Sequence, residues 1–174
     1  MPDTAPAPSL IPAMLAAMPP APPPAAPTDA ATVQRVVEFF EALTPDSVAR
    51  FGEFYTPDVW FKDPFNEVRG LAEVQRIFSH MYVTLHEPRF VITSRVIDGP
   101  RCFLTWDFKF RFKRFATSVE QTVRGGSHLK FAPGPDGLPR IAYHRDYWDA
   151  AEELYEKLPL VGALMRWLKR RANS

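Results

Sequence analysis

Two short stretches bring together residue types that do acid and base chemistry. In "VWFKDPFNEVRG", residues 59 to 70, Asp63 falls in line with Val59 and Phe61 when the chain is extended, because side chains alternate with a period of two. In "YHRDYWD", residues 143 to 149, His144, Asp146 and Trp148 share one face of a strand, and Tyr143, Arg145 and Tyr147 share the other. Alternation alone does not say which face is inward. If His144 and Asp146 enter the same cavity as Asp63, one group can abstract a proton and another return it, or an acid can release a hydroxyl from a small cyclic alcohol. Trp148 would supply a flat wall for a planar or cyclic ligand. Plainer readings stay open: an aspartate before proline shapes a strand exit by accepting turn amides, and Asp146 and Arg145 pair with neighbouring elements. A metal held by Asp63, His144 and Asp146 would be a one-histidine, two-carboxylate set, but no close-spaced His or Cys motif announces it.

These residues need elements to position them. Thr28 or Asp29 caps a first helix with the apolar face Val33, Val36, Val37, Phe40 and Leu43. Thr44 caps a second, short helix with Pro45 at its first position, burying Val48, Phe51 and Tyr55. A strand over the first stretch ends at Pro64, and a third helix runs from about Leu71 to Tyr82. From Phe90 the period changes to two. Four strands follow, over about 90 to 98, 102 to 113, 119 to 131 and 140 to 148. The second of them alternates most clearly, with Cys102, Leu104, Trp106, Phe108, Phe110 and Phe112 on one face. Gly125 and Gly126, inside the third, read as a bulge or bend. His80 and His86 are expected at the surface, and His128 outside the core. Helices followed by long antiparallel strands give an α+β pattern.

Composition bounds the rest. Residues 1 to 28 hold 10 of the 19 prolines and no Lys, Arg, aromatic or Gly, so they are expected to be a mobile Pro/Ala-rich tail. A secretory signal is disfavoured there, because no basic residue precedes the apolar run and Pro12 interrupts it. A net charge of +1 gives no global field for nucleic acid, and no apolar run is long enough to span a bilayer. The single Cys102 fits a reducing compartment, so the cytoplasm is expected. The end, "LPLVGALMRWLKRR", is read as an amphipathic helix over residues 150 to 174 that docks on the domain or a partner, in preference to a membrane surface.

In its order of elements, and in "VQRVVEFFEAL", "FYTPDVWFKDPFNEVRG" and "HRDYWDAAEELYEKLPLVGALMRWLKRR", the chain resembles the nuclear-transport-factor-2-like proteins, which include the SnoaL-like proteins and ketosteroid isomerase. The resemblance implies a cystatin-like, cone-shaped curved sheet, antiparallel with a mixed edge, wrapped around the N-terminal helices over residues 29 to 149. It implies a homodimer through the outer sheet face, where Lys109, Arg111 and Lys113 lie, and no cofactor. Asp63 in "KDP" matches the catalytic aspartate of ketosteroid isomerase, and a carboxylate at the mouth of an apolar cone has its pKa raised toward useful base strength. The isomerase's two oxyanion donors are not reproduced: Val36 and Ser127 stand at those positions. The match turns His144, Asp146 and Trp148 toward the cavity, and the expected ligand-binding residues are Val36, Phe40, Tyr55, Phe61, Trp106, Ser127 and Trp148. Two functions are carried forward. One is a cofactor-free lyase or isomerase acting on a small, apolar, cyclic substrate with Asp63 as base. The other is a non-catalytic module that binds a hydrophobic ligand or a protein.

Overall fold

A computed structural model describes residues 28 to 113 and 118 to 149. The expected N-terminal tail, apart from Thr28, and the expected C-terminal helix lie outside the described residues. Helix α1, Ala30–Glu41, is capped by Asp29, whose side chain accepts the Thr32 N–H at 2.7 Å. Its apolar stripe of Val33, Val36, Val37 and Phe40 is buried. The second helix is a 3₁₀ helix, Asp46–Glu53, preceded by reciprocal hydrogen bonds between Thr44 and Ser47. Contrary to the helical spacing, Tyr55 is not part of it. The helix stops at Glu53, and Tyr55 opens strand β1, Tyr55–Lys62. A short strand β2, Glu67–Arg69, turns back on β1, and Gly70 enters helix α2, Leu71–Thr84, at φ 101°, a backbone angle that favours glycine.

The remaining strands are β3, Leu85–Asp98; β4, Arg101–Phe112; β5, Gln121–Pro133; and β6, Pro139–Trp148. Strand β3 starts five residues before the expected Phe90. Pro88 hides that start in the sequence, and the ladder accommodates it with a register shift between His86 and Arg89. The six strands form one curved, unclosed sheet in the order β2-β1-β6-β5-β4-β3. Every pairing is antiparallel except β1 with β6, which is parallel. The architecture is therefore α+β, with helices α1 and α2 packed on the inner face of the sheet and a core of Val33, Val36, Phe51, Tyr55, Val59, Phe61 and Leu129 between them. Among the described residues no helix is long and apolar enough to cross a membrane.

The glycine pair is not a bulge. The β4–β5 register runs without interruption through Thr105↔Gly126 and Trp106↔Gly125, and the β5–β6 shift lies between Lys130 and Phe131. Both glycines instead make room for aromatic rings on opposite faces of β5. A Cβ on Gly125 would stand 2.4 Å from Trp106 Cη2, and one on Gly126 would stand 2.7 Å from the Phe103 ring. The inward ring is the one that matters for the site.

Candidate functional site

Strand register assembles the site in rows across the inner face. Phe61 of β1 pairs with His144 of β6, which pairs with Leu129 of β5. One row along, Asp146 pairs with Ser127, which pairs with Leu104 of β4; the next row holds Trp148, Gly125 and Trp106. His144 and Asp146, two residues apart on one strand, therefore share a face and are brought beside a serine and a tryptophan from two other strands.

These side chains form one polar chain inside an apolar core. The Tyr55 hydroxyl lies 2.7 Å from His144 Nδ1, and His144 Nε2 lies 2.8 Å from Asp146 Oδ1. On the other side Trp106 Nε1–H donates to Ser127 Oγ at 2.9 Å, and Ser127 Oγ–H donates to Asp146 Oδ1 at 2.5 Å. Proton directions follow from what each group can offer. Tyr55 is fully buried, and its O–H has one acceptor within reach, so Nδ1 accepts and the imidazole carries its proton on Nε2, pointed at Asp146. Burial holds the Tyr55 phenol well above its ordinary pKa, with the Asp146 charge acting in the same direction, so the hydroxyl keeps the proton that it donates. Every donor thus points along the chain toward Asp146 Oδ1. Among the described residues nothing is hydrogen-bonded to Oδ2.

Asp146 is also where this chain meets open space. A cavity of about 320 Å³ lies between α2, the start of β3, the far end of β4 and the end of β6, and Asp146 forms part of its wall. The rest of the wall is largely aromatic, with Phe90, Trp106, Phe108, Phe110 and Trp148 prominent. Asp63 and Phe65 stand at the rim, where the Phe65 ring meets Trp148 edge-on at 5.3 Å. An adjoining groove outside the rim shares Asp63, Asp146 and Trp148. His144 reaches only a separate void of about 10 Å³ behind Asp146, roughly the space of one water. Its side chain is 3% exposed, against 15% for Asp146.

Asp63 performs the turn-building task that its place before proline allowed for. Its Oδ1 accepts from the Phe65 N–H at 2.7 Å and the Asn66 N–H at 2.6 Å, and the Asn66 side-chain amide reaches both carboxylate oxygens. Strand β1 ends one residue earlier, at Lys62, so the alternation that put Asp63 in line with Val59 and Phe61 gives way to the turn. Of the residues expected to line the ligand site, Phe61, Asp63, Trp106, Asp146 and Trp148 line the 320 Å³ cavity. Val36 and Tyr55 are packed in the core. Phe40, Ser127 and His144 reach only the small void. The lining also includes Phe108, Phe110 and Phe112, whose alternation on β4 was visible in sequence, and α2 residues such as Ile77 and Met81, whose helical spacing set them on an inner face without marking them as part of a site. Among the described residues no three His, Cys, Asp or Glu side chains gather to hold a metal ion, so Asp63, His144 and Asp146 do not form the metal set considered from sequence.

The profile of the SnoaL-like domain family matches residues 36 to 144. The chain belongs to that family. Solved structures agree on the fold of this SnoaL-like chain. A ketosteroid-isomerase-like protein from Catenulispora acidiphila, in complex with trimethylamine, superposes with a TM-score of 0.59 at 13% identity, covering 73% of this chain and 92% of the other. A SnoaL-like polyketide cyclase from Shewanella denitrificans gives 0.58 at 18% identity, covering 72% and 98%. An epoxide hydrolase of M. tuberculosis gives 0.57 at 16% identity, covering 79% and 96%. At these identities the likeness is one of fold, across proteins of different activities. A comparison with curated protein sequences finds no match.

Proposed function

We propose that this SnoaL-like protein binds a small, largely apolar, cyclic molecule in the aromatic cavity and moves a proton on it by general acid and base catalysis, with no cofactor, as an isomerase, dehydratase or cyclase does. The observation that carries the reading is the state of Asp146. One carboxylate oxygen is fixed by His144 and Ser127, and the other has no hydrogen-bond partner among the described residues, on a side chain that lines a largely aromatic cavity. A base needs a fixed position and a free lone pair next to its substrate. Asp146 has both, whereas the oxygens of Asp63 are engaged by the amides of their own turn. In this reading Asp146 takes the proton, His144 and Ser127 orient it, Tyr55 fixes the histidine, and Asp63 is a second carboxylate at the mouth. The names of two fold neighbours, a SnoaL-like polyketide cyclase and an epoxide hydrolase, support small-molecule chemistry in this kind of cone.

One observation favours the second reading, a binder without turnover. The cavity offers few donors for a developing oxyanion: Trp106 is spent on Ser127, and Thr84 is hydrogen-bonded back onto the carbonyls of His80 and Met81. Native mass spectrometry for a co-purified ligand, followed by assays of wild type and Asp146→Asn with that ligand, separates the two. The expected result is a roughly 10²- to 10⁴-fold loss of turnover at saturating ligand, the usual range for a general base. Tight binding with no turnover in wild type would establish the binder.

A further inference from the structure

The charge on the cavity wall restricts what fits, granted the reading above that this cavity is the ligand site. Two carboxylates, Asp63 and Asp146, belong to the wall; among the described lining residues there is no Lys or Arg, and the one other titratable side chain is the exposed His80. Two basic residues, Lys62 and Arg145, line the adjoining groove. Lys62 is bound to Glu67, and the Arg145 guanidinium lies 4.7 Å from the centre of the Tyr147 ring. From these features we propose that the ligand is a ring-bearing organic cation, an amine carried as its ammonium on a flat apolar body.

Three physical terms point the same way. The rings of Phe90, Trp106, Phe108, Phe110 and Trp148 form the wall, and an aromatic face is negative, so it attracts a desolvated cation. The polar chain behind Asp146 donates to Oδ1 and, among the described residues, leaves Oδ2 without a donor, on a side chain that lines the cavity. A neutral apolar body seated against Oδ2 strips water from that oxygen and offers no donor in return, whereas an ammonium N–H replaces the water with a charge-assisted hydrogen bond. An anionic ligand meets two carboxylates and, among the described lining residues, no Lys or Arg, so it is repelled. The volume suits the flat body: about 320 Å³ is the lower end of the range for small-molecule sites and accommodates a two-ring compound.

Three probes of one shape test the charge directly: 2-naphthylmethylamine, 2-naphthalenemethanol and 2-naphthoate, titrated calorimetrically into the full chain at pH 7. The ammonium is expected to bind at least tenfold tighter than the alcohol, and the carboxylate at least tenfold weaker than the alcohol. Raising the salt concentration should weaken the ammonium and leave the alcohol unchanged. In Asp146→Asn the ammonium should fall to within about threefold of the alcohol, and Asp63→Asn should narrow the gap by a smaller factor. Alcohol binding as tight as the ammonium, or carboxylate binding the tightest, overturns the proposal while leaving the aromatic cavity as a ligand site. Failure of all three probes to bind wild type overturns the site itself. These comparisons within wild type decide the matter even where a variant fails to fold.

Discussion

Tyr55 is the residue whose role changed most between sequence and structure. Its spacing after Phe51 suggested one more apolar residue on a short helix, yet its hydroxyl is the outer end of the chain that fixes Asp146. His144, Asp146 and Ser127 were expected beside a cavity because the family resemblance chose the inward face, which alternation alone leaves open. Their mutual hydrogen bonds were not legible, since those depend on which rows of β4, β5 and β6 meet, and a single strand says nothing of its partner's register. Asp63 was legible in both of its readings, and the turn amides decide where its oxygens point. The structure gives Tyr55 a measurable consequence. Replacing it with phenylalanine keeps the ring but leaves the buried His144 Nδ1 without its donor, so Tyr55→Phe is expected to lower stability by about 1 to 3 kcal/mol in urea melts. It should also release the imidazole from its single tautomer, which lowers turnover on any ligand that Asp146 serves. An unchanged melting midpoint would mean that the histidine finds another donor, and the relay drawn here would be wrong.

At the scale of elements, β4 was the strand most readable in sequence, because one face is fully apolar and the other, Phe103 apart, polar or charged, so the period of two stands out. Strand β3 was less readable: Pro88 and two register shifts break its pattern. The glycines of β5 were visible and read as a bulge or bend; the unbroken register removes the bulge, since glycine in a strand also marks the close approach of another group, which only the neighbouring strand reveals. Here the neighbour is Trp106, whose ring occupies the space that a side chain on Gly125 would take while its Nε1 reaches Ser127. Gly125→Ala is therefore expected to push the indole away from Ser127, costing about 1 to 3 kcal/mol as overpacking does. Near-ultraviolet circular dichroism should report the displaced tryptophan. Gly52→Ala is the control, because a Cβ there meets Leu71 at 3.4 Å, close to ordinary contact, and its stability should stay within about 0.5 kcal/mol of wild type. Equal losses from both variants would show that Gly125 has no special packing role.

At the scale of the whole molecule, the order of helices and strands sufficed for the α+β cone, because each layer must bury one face and few arrangements of these elements do so. Less readable was the outer face of the sheet, where Phe103 and Tyr147, 39% and 44% exposed, lie near each other across Gly126. We propose that two copies pair there, as the resemblance implied, in an isologous contact that brings each patch onto its twin. Light scattering should then give twice the chain mass, and Phe103→Glu should give one. The same face carries His128 beside Lys130 on β5, Arg101 on β4, and Arg145 with Tyr143 on β6. Burial, then the charges of Lys130, Arg101 and Arg145, hold the His128 pKa below its ordinary value of 6.5. The folded state therefore binds fewer protons there than the unfolded chain does. The stability linked to His128 is fully present above about pH 6.5 and is lost as pH falls through the lower folded value. Pairing by symmetry doubles the effect, since each new imidazolium joins a face already rich in cations and meets the same face of its partner. Light scattering and urea melts from pH 7.5 down to 5 should show a fall in dimer and in stability that His128→Gln removes. A wild-type profile that His128→Gln leaves unchanged would place the acid sensitivity elsewhere.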